Sequence, residues 1–302
     1  MDHEHAMHRA REVIDGLSVG DALGEALSYR FYDARELVQR LDGYTSASLR
    51  YTDDTELSLA IVETLDRMRS IDEEVIAWSY GRHFLANPDR GYGKMARRVL
   101  GDIAAGTPWK DVSSSVFGNG SFGNGGAMRV APLGAYFADD LDRVVRMAER
   151  SARVTHYHPE GIAGAVVVAI ASAVASAKRD QPWESASASI REEVLSRTPE
   201  GRTRDGLTAA FAEGFENEPM SVARLVGNGT DVSSQDTVPF CLWNACRCLS
   251  DYEEAIVSTV EVGGDCDTNA AIVGGVVSAY VGGSGIPAAW LQLREPLQYL
   301  SI

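Results

Sequence analysis

The chain has 302 residues, 45% of them hydrophobic, enough for one large core or two modest ones. Its 43 acidic and 28 basic residues leave a formal net charge of −15. A chain so acidic repels phosphate backbones, which argues against double-stranded nucleic acid as its main partner. The first residues, Met1-Asp2-His3-Glu4-His5, show neither a basic n-region nor an apolar h-region, so no signal peptide is expected.

From Ala10 to Leu23, the apolar positions Ala10, Val13, Ile14 and Leu17 follow helical spacing. Gly16, Gly20 and Gly24 recur every fourth residue, so that face can take a second helix at close range. Asp21 and Glu25 read as an exposed polar edge of this helix, and Gly24 admits either a break or a continuing helix. A loop-like segment follows, Leu41-Asp42-Gly43-Tyr44-Thr45-Ser46. Next comes Tyr51-Thr52-Asp53-Asp54-Thr55, with Leu57, Ile61 and Leu65 predicting an amphipathic helix from Asp54 to Met68 capped near Thr52 or Asp53. Val75, Trp78 and Tyr80 predict another helix, ended by Asn87-Pro88-Asp89.

Gly118 to Gly126 is glycine-rich, and residues 118–123 match the dinucleotide pattern G-x-G-x-x-G. The match carries little, because the preceding segment makes a poor buried strand and Pro132 interrupts any crossover helix. What survives is that closely spaced glycines expose backbone N–H groups able to cradle a phosphate. Thr155-His156-Tyr157-His158-Pro159-Glu160 precedes Gly161–Ala177, a charge-free run too short and too weakly apolar for a membrane span. It reads instead as a helix at the centre of an all-helical protein. Residues 178–205 read as an exposed helix and loop. Cys241, Cys246 and Cys248 cluster on a predicted buried helix, and with Cys266 they read as reduced structural thiols of a cytoplasmic protein.

The last helix signal is Val262-Gly263-Gly264-Asp265-Cys266-Asp267-Thr268, leading into an uncharged apolar run up to Tyr280. Two carboxylates and a threonine exceed what one helix cap needs. If this stretch meets Asp53-Asp54, four carboxylates converge, and at ~4 Å each like-charged pair costs about 4 kcal/mol at an effective dielectric near 20. Cations relieve that cost, and oxygen-only ligands favour Mg²⁺, Mn²⁺ or Ca²⁺ over zinc. No alternating strand pattern, linker or internal repeat is sustained, so one mainly helical domain is expected.

Five stretches in order resemble the ADP-ribosylglycohydrolase family: Gly20-Asp21-Ala22-Leu23-Gly24, Thr52-Asp53-Asp54-Thr55, Gly123 through Arg129, Thr155-His156, and Gly263 through Thr268. They span about residues 10–282, within one domain over 1–302. The resemblance implies an all-α, single-domain orthogonal helical bundle around a binuclear Mg²⁺ site, sometimes Mn²⁺. It implies that Thr52, Asp53, Asp54, Asp265, Asp267 and Thr268 hold the metals. Ser121, Phe122, Gly123, Asn124 and Gly125 would take ADP-ribose, with Phe122 stacking on a ring, and His156 would contact the substrate. Many members carry a glutamate where this chain has Ser28; Glu25 is the nearest carboxylate, and Asp54 or Glu25 is the expected proton acceptor. The implied activity is metal-dependent hydrolysis of the ribosyl C1″ bond of an ADP-ribosylated protein or a small ADP-ribosyl compound, by a monomer that needs no membrane. Two other readings stay open: a non-catalytic ADP-ribose-binding or crystallin-like member, and a binuclear nucleotide phosphohydrolase.

Overall fold

The computed structural model describes residues 2–28 and 49–300. The predicted loop at 41–46 lies outside them. Helix α1 (His3–Ser28) begins earlier than its periodicity predicts and runs unbroken through Gly24. Its glycines serve close approach. A Cβ at Gly20 would stand 2.1 Å from the Ala270 carbonyl oxygen, and one at Gly24 would stand 2.4 Å from that of Cys266. Each glycine weakens an isolated helix by roughly 0.5–1 kcal/mol; contact between the two backbones offsets that cost.

The first acidic stretch opens a helix. Asp53–Met68 forms α2 with Thr52 as its N-cap, and Glu73–Ala86 forms α3. On α3 the buried face is Ile76, Ala77, Tyr80 and His83, whereas Trp78, which was counted with the apolar positions, is 52% exposed. Lys94–Ala104 (α4) and Trp109–Ser115 (α5) lead to two short 3₁₀ turns, Val116–Gly118 and Asn124–Gly126, which frame the glycine-rich loop. No crossover helix follows that loop; the short α6 (Ala131–Tyr136) does, with Pro132 in its first turn.

After α7 (Leu141–Arg153) comes α8 (Pro159–Ala177), with His158 as N-cap. This helix is long and apolar enough to cross a membrane by length and composition, but 78% of its apolar window is buried inside the protein. Helices α6, α7, α9 (Trp183–Arg197), α12 (Ser234–Arg247) and α14 (Cys266–Val281) pack around it. The 178–205 segment is therefore less exposed than its charge predicts, because Ala186, Ile190 and Val194 of α9 face the core. Helices α10 (Arg202–Ala212), α11 (Pro219–Val226), α13 (Tyr252–Glu261) and α15 (Ala288–Leu293), with a 3₁₀ turn at Gly283–Gly285, complete the described elements. The architecture is all-α around one hydrophobic core, and the described residues contain only two isolated β-bridges. All four cysteines are free and buried, and Cys248 is the C-cap residue of α12.

Candidate functional site

Helices α1 and α14 lie so close that the N-terminus of α14 is fixed against the C-terminal part of α1, at Gly24. Gly263 and Gly264 approach it with φ of +75° and +81°, a left-handed geometry that side chains other than glycine adopt at a cost. Asp265 then takes the N-cap position, with Asp267 in the first turn. Facing them is the N-terminus of α2, and the residue that holds it there is Asp21. Its carboxylate accepts the Thr52 N–H at 3.0 Å from each oxygen and the Thr55 N–H at 3.1 Å. The Thr52 and Thr55 hydroxyls lie 2.8 and 2.5 Å from it. Asp21 is fully buried, which corrects its reading as an exposed edge. A carboxylate survives there because four donors converge on it.

Asp54 is also buried. Its Oδ2 lies 3.1 Å from the Thr52 hydroxyl, while its Oδ1 has no hydrogen-bond partner among the described residues. Burial, with the charge of Asp267 next, pushes the Asp53 carboxyl up to about 8. Burial raises Asp21 to about 7 against the pull of the Thr55 hydroxyl, with the Asp267 charge adding to it. Asp265 rises to about 7 for the same two reasons, burial and Asp267. Asp54 is driven well up by burial, then by Asp21 and Asp267. The two acidic stretches therefore do meet, closely enough to repel. Among the described residues no three His, Cys, Asp or Glu side chains are gathered as ligands about one point.

One cavity of about 570 Å³ reaches Asp53, Asp54, Asp265, Asp267 and Thr268. The same cavity is lined by Ser121, Phe122, Gly123, Asn124 and Gly125 of the glycine loop and by His156. Phe122 is 39% exposed at 6.0 Å from the Phe117 ring, a pair of aromatic faces on the cavity wall. Asn124 does more than line it: its side-chain amide donates to Asp265 Oδ2 at 2.7 Å and to the Thr237 hydroxyl at 3.0 Å. The loop is thereby tied to the acidic stretch. Thr52 sits behind the wall, engaged with Asp21 and Asp54, and does not line the cavity. Neither does Glu25, which is half-buried on α1; burial and the Asp267 charge raise its carboxyl, opposed by Arg50. The Ser28 hydroxyl donates to the Gly24 carbonyl at 2.7 Å.

The match to the ADP-ribosylglycohydrolase family model runs over residues 2–301. The chain belongs to this family. An uncharacterized protein of Archaeoglobus fulgidus is 32% identical over 301 residues, which is 96% of this chain and 92% of that protein. ADP-ribosylhydrolase ARH3 of Homo sapiens is 26% identical over 340 residues, 96% of this chain and 90% of the human protein. Among solved structures, a chain of an ADP-ribosylglycohydrolase-related protein complex superposes with a TM-score of 0.67 at 25% identity, covering 97% of this chain and 94% of that one.

Against the family pattern, three contributions to the site escape a reading by motif. Asp21 carries no role in it, although the glycine stripe that pins α1 to α14 already implies that a polar neighbour of Gly20 faces the acidic helix ends. Lys94 and Met95, at the start of α4, line the cavity from a segment without any recognisable pattern. Arg129, inside the Gly123–Arg129 stretch, is buried at the cavity wall beneath Thr155 and His156.

Proposed function

We propose that this chain hydrolyses the ribosyl C1″ bond of an ADP-ribosylated protein or a small ADP-ribosyl compound and releases ADP-ribose, with two Mg²⁺ ions, or Mn²⁺, completing its site. The observation that carries this reading is one cavity shared by two carboxylate pairs and a glycine-rich loop in a chain of this family. A relative that matches nearly its full length is called an ADP-ribosylhydrolase.

The donors fit hard cations. They are all oxygen, burial and then neighbouring carboxylate charge raise Asp53, Asp54 and Asp265, and Asp54 Oδ1 is buried without a hydrogen-bond partner among the described residues. Thr52, Asp53, Asp54, Asp265, Asp267 and Thr268 would hold the ions, Thr52 moving its hydroxyl from Asp21. Two such cations, when bound, lower the pKa of water and bind ribose hydroxyls.

The chain's own groups do the rest. Asn124 holds Asp265, and Asp21 holds the Thr52–Thr55 turn, so both carboxylate pairs are oriented before substrate arrives. The glycine loop and Phe122 take the diphosphate and a ring of ADP-ribose. Asp54 is the proton acceptor: water adds to C1″ as the bond to the acceptor group breaks, one water proton passes to Asp54, and Asp54 returns that proton to the departing acceptor group. Of the two carboxylates weighed for this role, only Asp54 lines the cavity. All four thiols are free and buried, in keeping with a reducing, cytoplasmic setting.

A panel of defined ADP-ribosylated peptides and small ADP-ribosyl compounds, assayed with Mg²⁺ and with chelator, tests the reading. The expected product is free ADP-ribose with its diphosphate intact, formed only with the metal. AMP plus ribose phosphate would instead make the chain a phosphohydrolase, and binding of ADP-ribose without turnover would make it a non-catalytic member.

A further inference from the structure

His156 enters the cavity wall from the turn between α7 and α8, and its ring lies against the glycine loop. A Cβ placed on Gly125 would stand 3.1 Å from its Nε2, and one on Gly123 3.3 Å. Nε2 takes none of the hydrogen bonds among the described residues, whereas Nδ1 lies 2.8 Å from the Thr155 hydroxyl. Which of those two atoms carries the proton decides what the ring presents to a ligand.

The surrounding bonds decide it. The Arg129 guanidinium, which only donates, gives an N–H from Nη2 to Thr155 Oγ1 at 2.7 Å. Arg129 is itself locked in place: Nη2 also reaches the Ser151 carbonyl at 3.2 Å, and the guanidinium lies 4.1 Å over the Tyr80 ring. The Tyr80 hydroxyl is bonded to the Ser151 hydroxyl at 2.7 Å. Thr155 Oγ1 is left with one proton to place. Its other acceptor, the Ala152 carbonyl, is 3.5 Å away and already takes the N–H groups of Thr155 at 3.1 Å and His156 at 2.8 Å. The hydroxyl proton therefore goes to His156 Nδ1, and the ring proton must sit on Nε2.

We infer that Arg129 and Thr155 are positioning residues that hold His156 as its Nε2–H tautomer, so that a fixed N–H donor faces the cavity beside Gly123 and Gly125. The ligand chemistry it suits is an anionic oxygen. On the function proposed above, on which this clause depends, that oxygen belongs to the diphosphate of ADP-ribose. Burial first and the Arg129 charge second push the imidazole down to about 3, so the donor is a neutral ring at physiological pH. A neutral, oriented donor gives direction to the contact, and it keeps a further positive charge away from the carboxylates that the metals need.

The experiment is ¹⁵N spectroscopy of the full chain labelled at histidine, with the His156 signals assigned by their loss in His156→Gln. In the wild type near pH 7, Nδ1 is expected unprotonated and Nε2 protonated. Thr155→Val removes the hydroxyl at nearly constant shape; a population with protonated Nδ1 should appear, and the Kd for ADP-ribose should rise about tenfold. Thr155→Ser should restore both. A wild-type ring protonated on Nδ1 overturns the inference, whether or not the valine variant folds. So does a folded Thr155→Val that keeps the pure Nε2–H form. If the tautomer is as inferred and the wild type binds no ADP-ribose, the positioning pair stands and the proposed function falls.

Discussion

The two acidic helix ends look alike in sequence and are supported in opposite ways. At the start of α2 the backbone is held by another side chain: Asp21, 31 residues earlier, collects two N–H groups and two hydroxyls of the Thr52–Thr55 turn. At the start of α14 the support is shape. Two left-handed glycines turn the chain, and the glycine face of α1 meets the first turns backbone to backbone. At the α2 end Thr52, Asp54 and Thr55 are buried and bonded, whereas Asp53, Asp265 and Asp267 are half-buried, Asp265 with Asn124 as a tether. One end is positioned by charge and the other by packing. Substitutions should therefore fail differently at the two.

The largest expected effect breaks the packing side. Gly20→Leu would drive a Cβ to within 2.1 Å of the Ala270 carbonyl. Overpacking usually costs about 1–3 kcal/mol, and here the obstacle is main chain that cannot yield, so the cost should exceed that range. Loss of the cooperative thermal transition, or a large drop in Tm with altered circular dichroism, is the expected result. A variant that melts like the wild type would show that α1 and α14 do not rely on this contact.

Next in size is loss of the carboxylates themselves. Asp54→Asn and Asp267→Asn should each weaken Mg²⁺ binding at least tenfold by calorimetry, which is about 1.4 kcal/mol. Asp54→Asn should also abolish turnover. Asp21→Asn sharpens the comparison, since the hydrogen bonds of Asp21 all go to the α2 end. Removing a partner that orients ligands typically costs 10–100-fold in metal affinity or activity. That loss is expected with the α1–α14 packing intact. Equal Mg²⁺ affinity and turnover in Asp21→Asn would demote Asp21 to a helix-packing residue.

What was legible in the sequence follows the same division. Features with a local cause could be read: the period-four glycines implied a close helix partner, and the acidic pairs lay at helix starts because carboxylates suit helix N-termini. The neutral run at Gly161–Ala177 proved to be the buried centre. Features that depend on a distant partner could not be read. Asp21 looked like a surface edge because the donors that keep it buried come from another helix. Trp78 fits an apolar spacing yet faces outward, since periodicity names two faces and only packing chooses between them. The family resemblance expects His156 to contact substrate, and the ring does line the cavity, but its hydrogen-bond support from Thr155 and from Arg129, 27 residues away, could not be read.

A smaller effect separates the two supports by pH. Asp21 and Asp265 are pushed up to about 7 and Asp53 to about 8, from an ordinary value of 3.8. The folded chain thus retains protons that the unfolded chain has released above pH ~4, so stability from these groups falls as pH rises through the folded values. In chelator, Tm should drop between about pH 5 and pH 8; with Mg²⁺ the drop should flatten, because the cations stabilise the ionised carboxylates. Asp21→Asn should remove only part of the slope, since Asp53 and Asp265 remain. A flat chelator profile would mean that the carboxylates do not repel as their burial requires.

The smallest effect is expected at Glu25. Family pattern places a glutamate at the position of Ser28, and Glu25 was the nearest substitute, on condition that Gly24 breaks the helix and frees it. The helix does not break, because Gly24 is spent on contact with Cys266 and Asp267. Asp21 and Glu25 are four residues apart and share a face, but Asp21 points into the Thr52–Thr55 turn while Glu25 stays half-buried outside the cavity. Its link to the site is the charge of Asp267, which with burial raises its carboxyl. Glu25→Gln should therefore lower kcat by less than tenfold, short of the roughly 10²-fold or more that loss of a general base costs. Ser28→Ala should be near neutral, since its hydroxyl only returns to the Gly24 carbonyl. A loss of about 10²-fold in Glu25→Gln, with Mg²⁺ affinity unchanged, would transfer the proton-accepting role from Asp54 to Glu25. It would also require α1 to unwind after Gly24 when substrate binds, against the packing that pins it to α14.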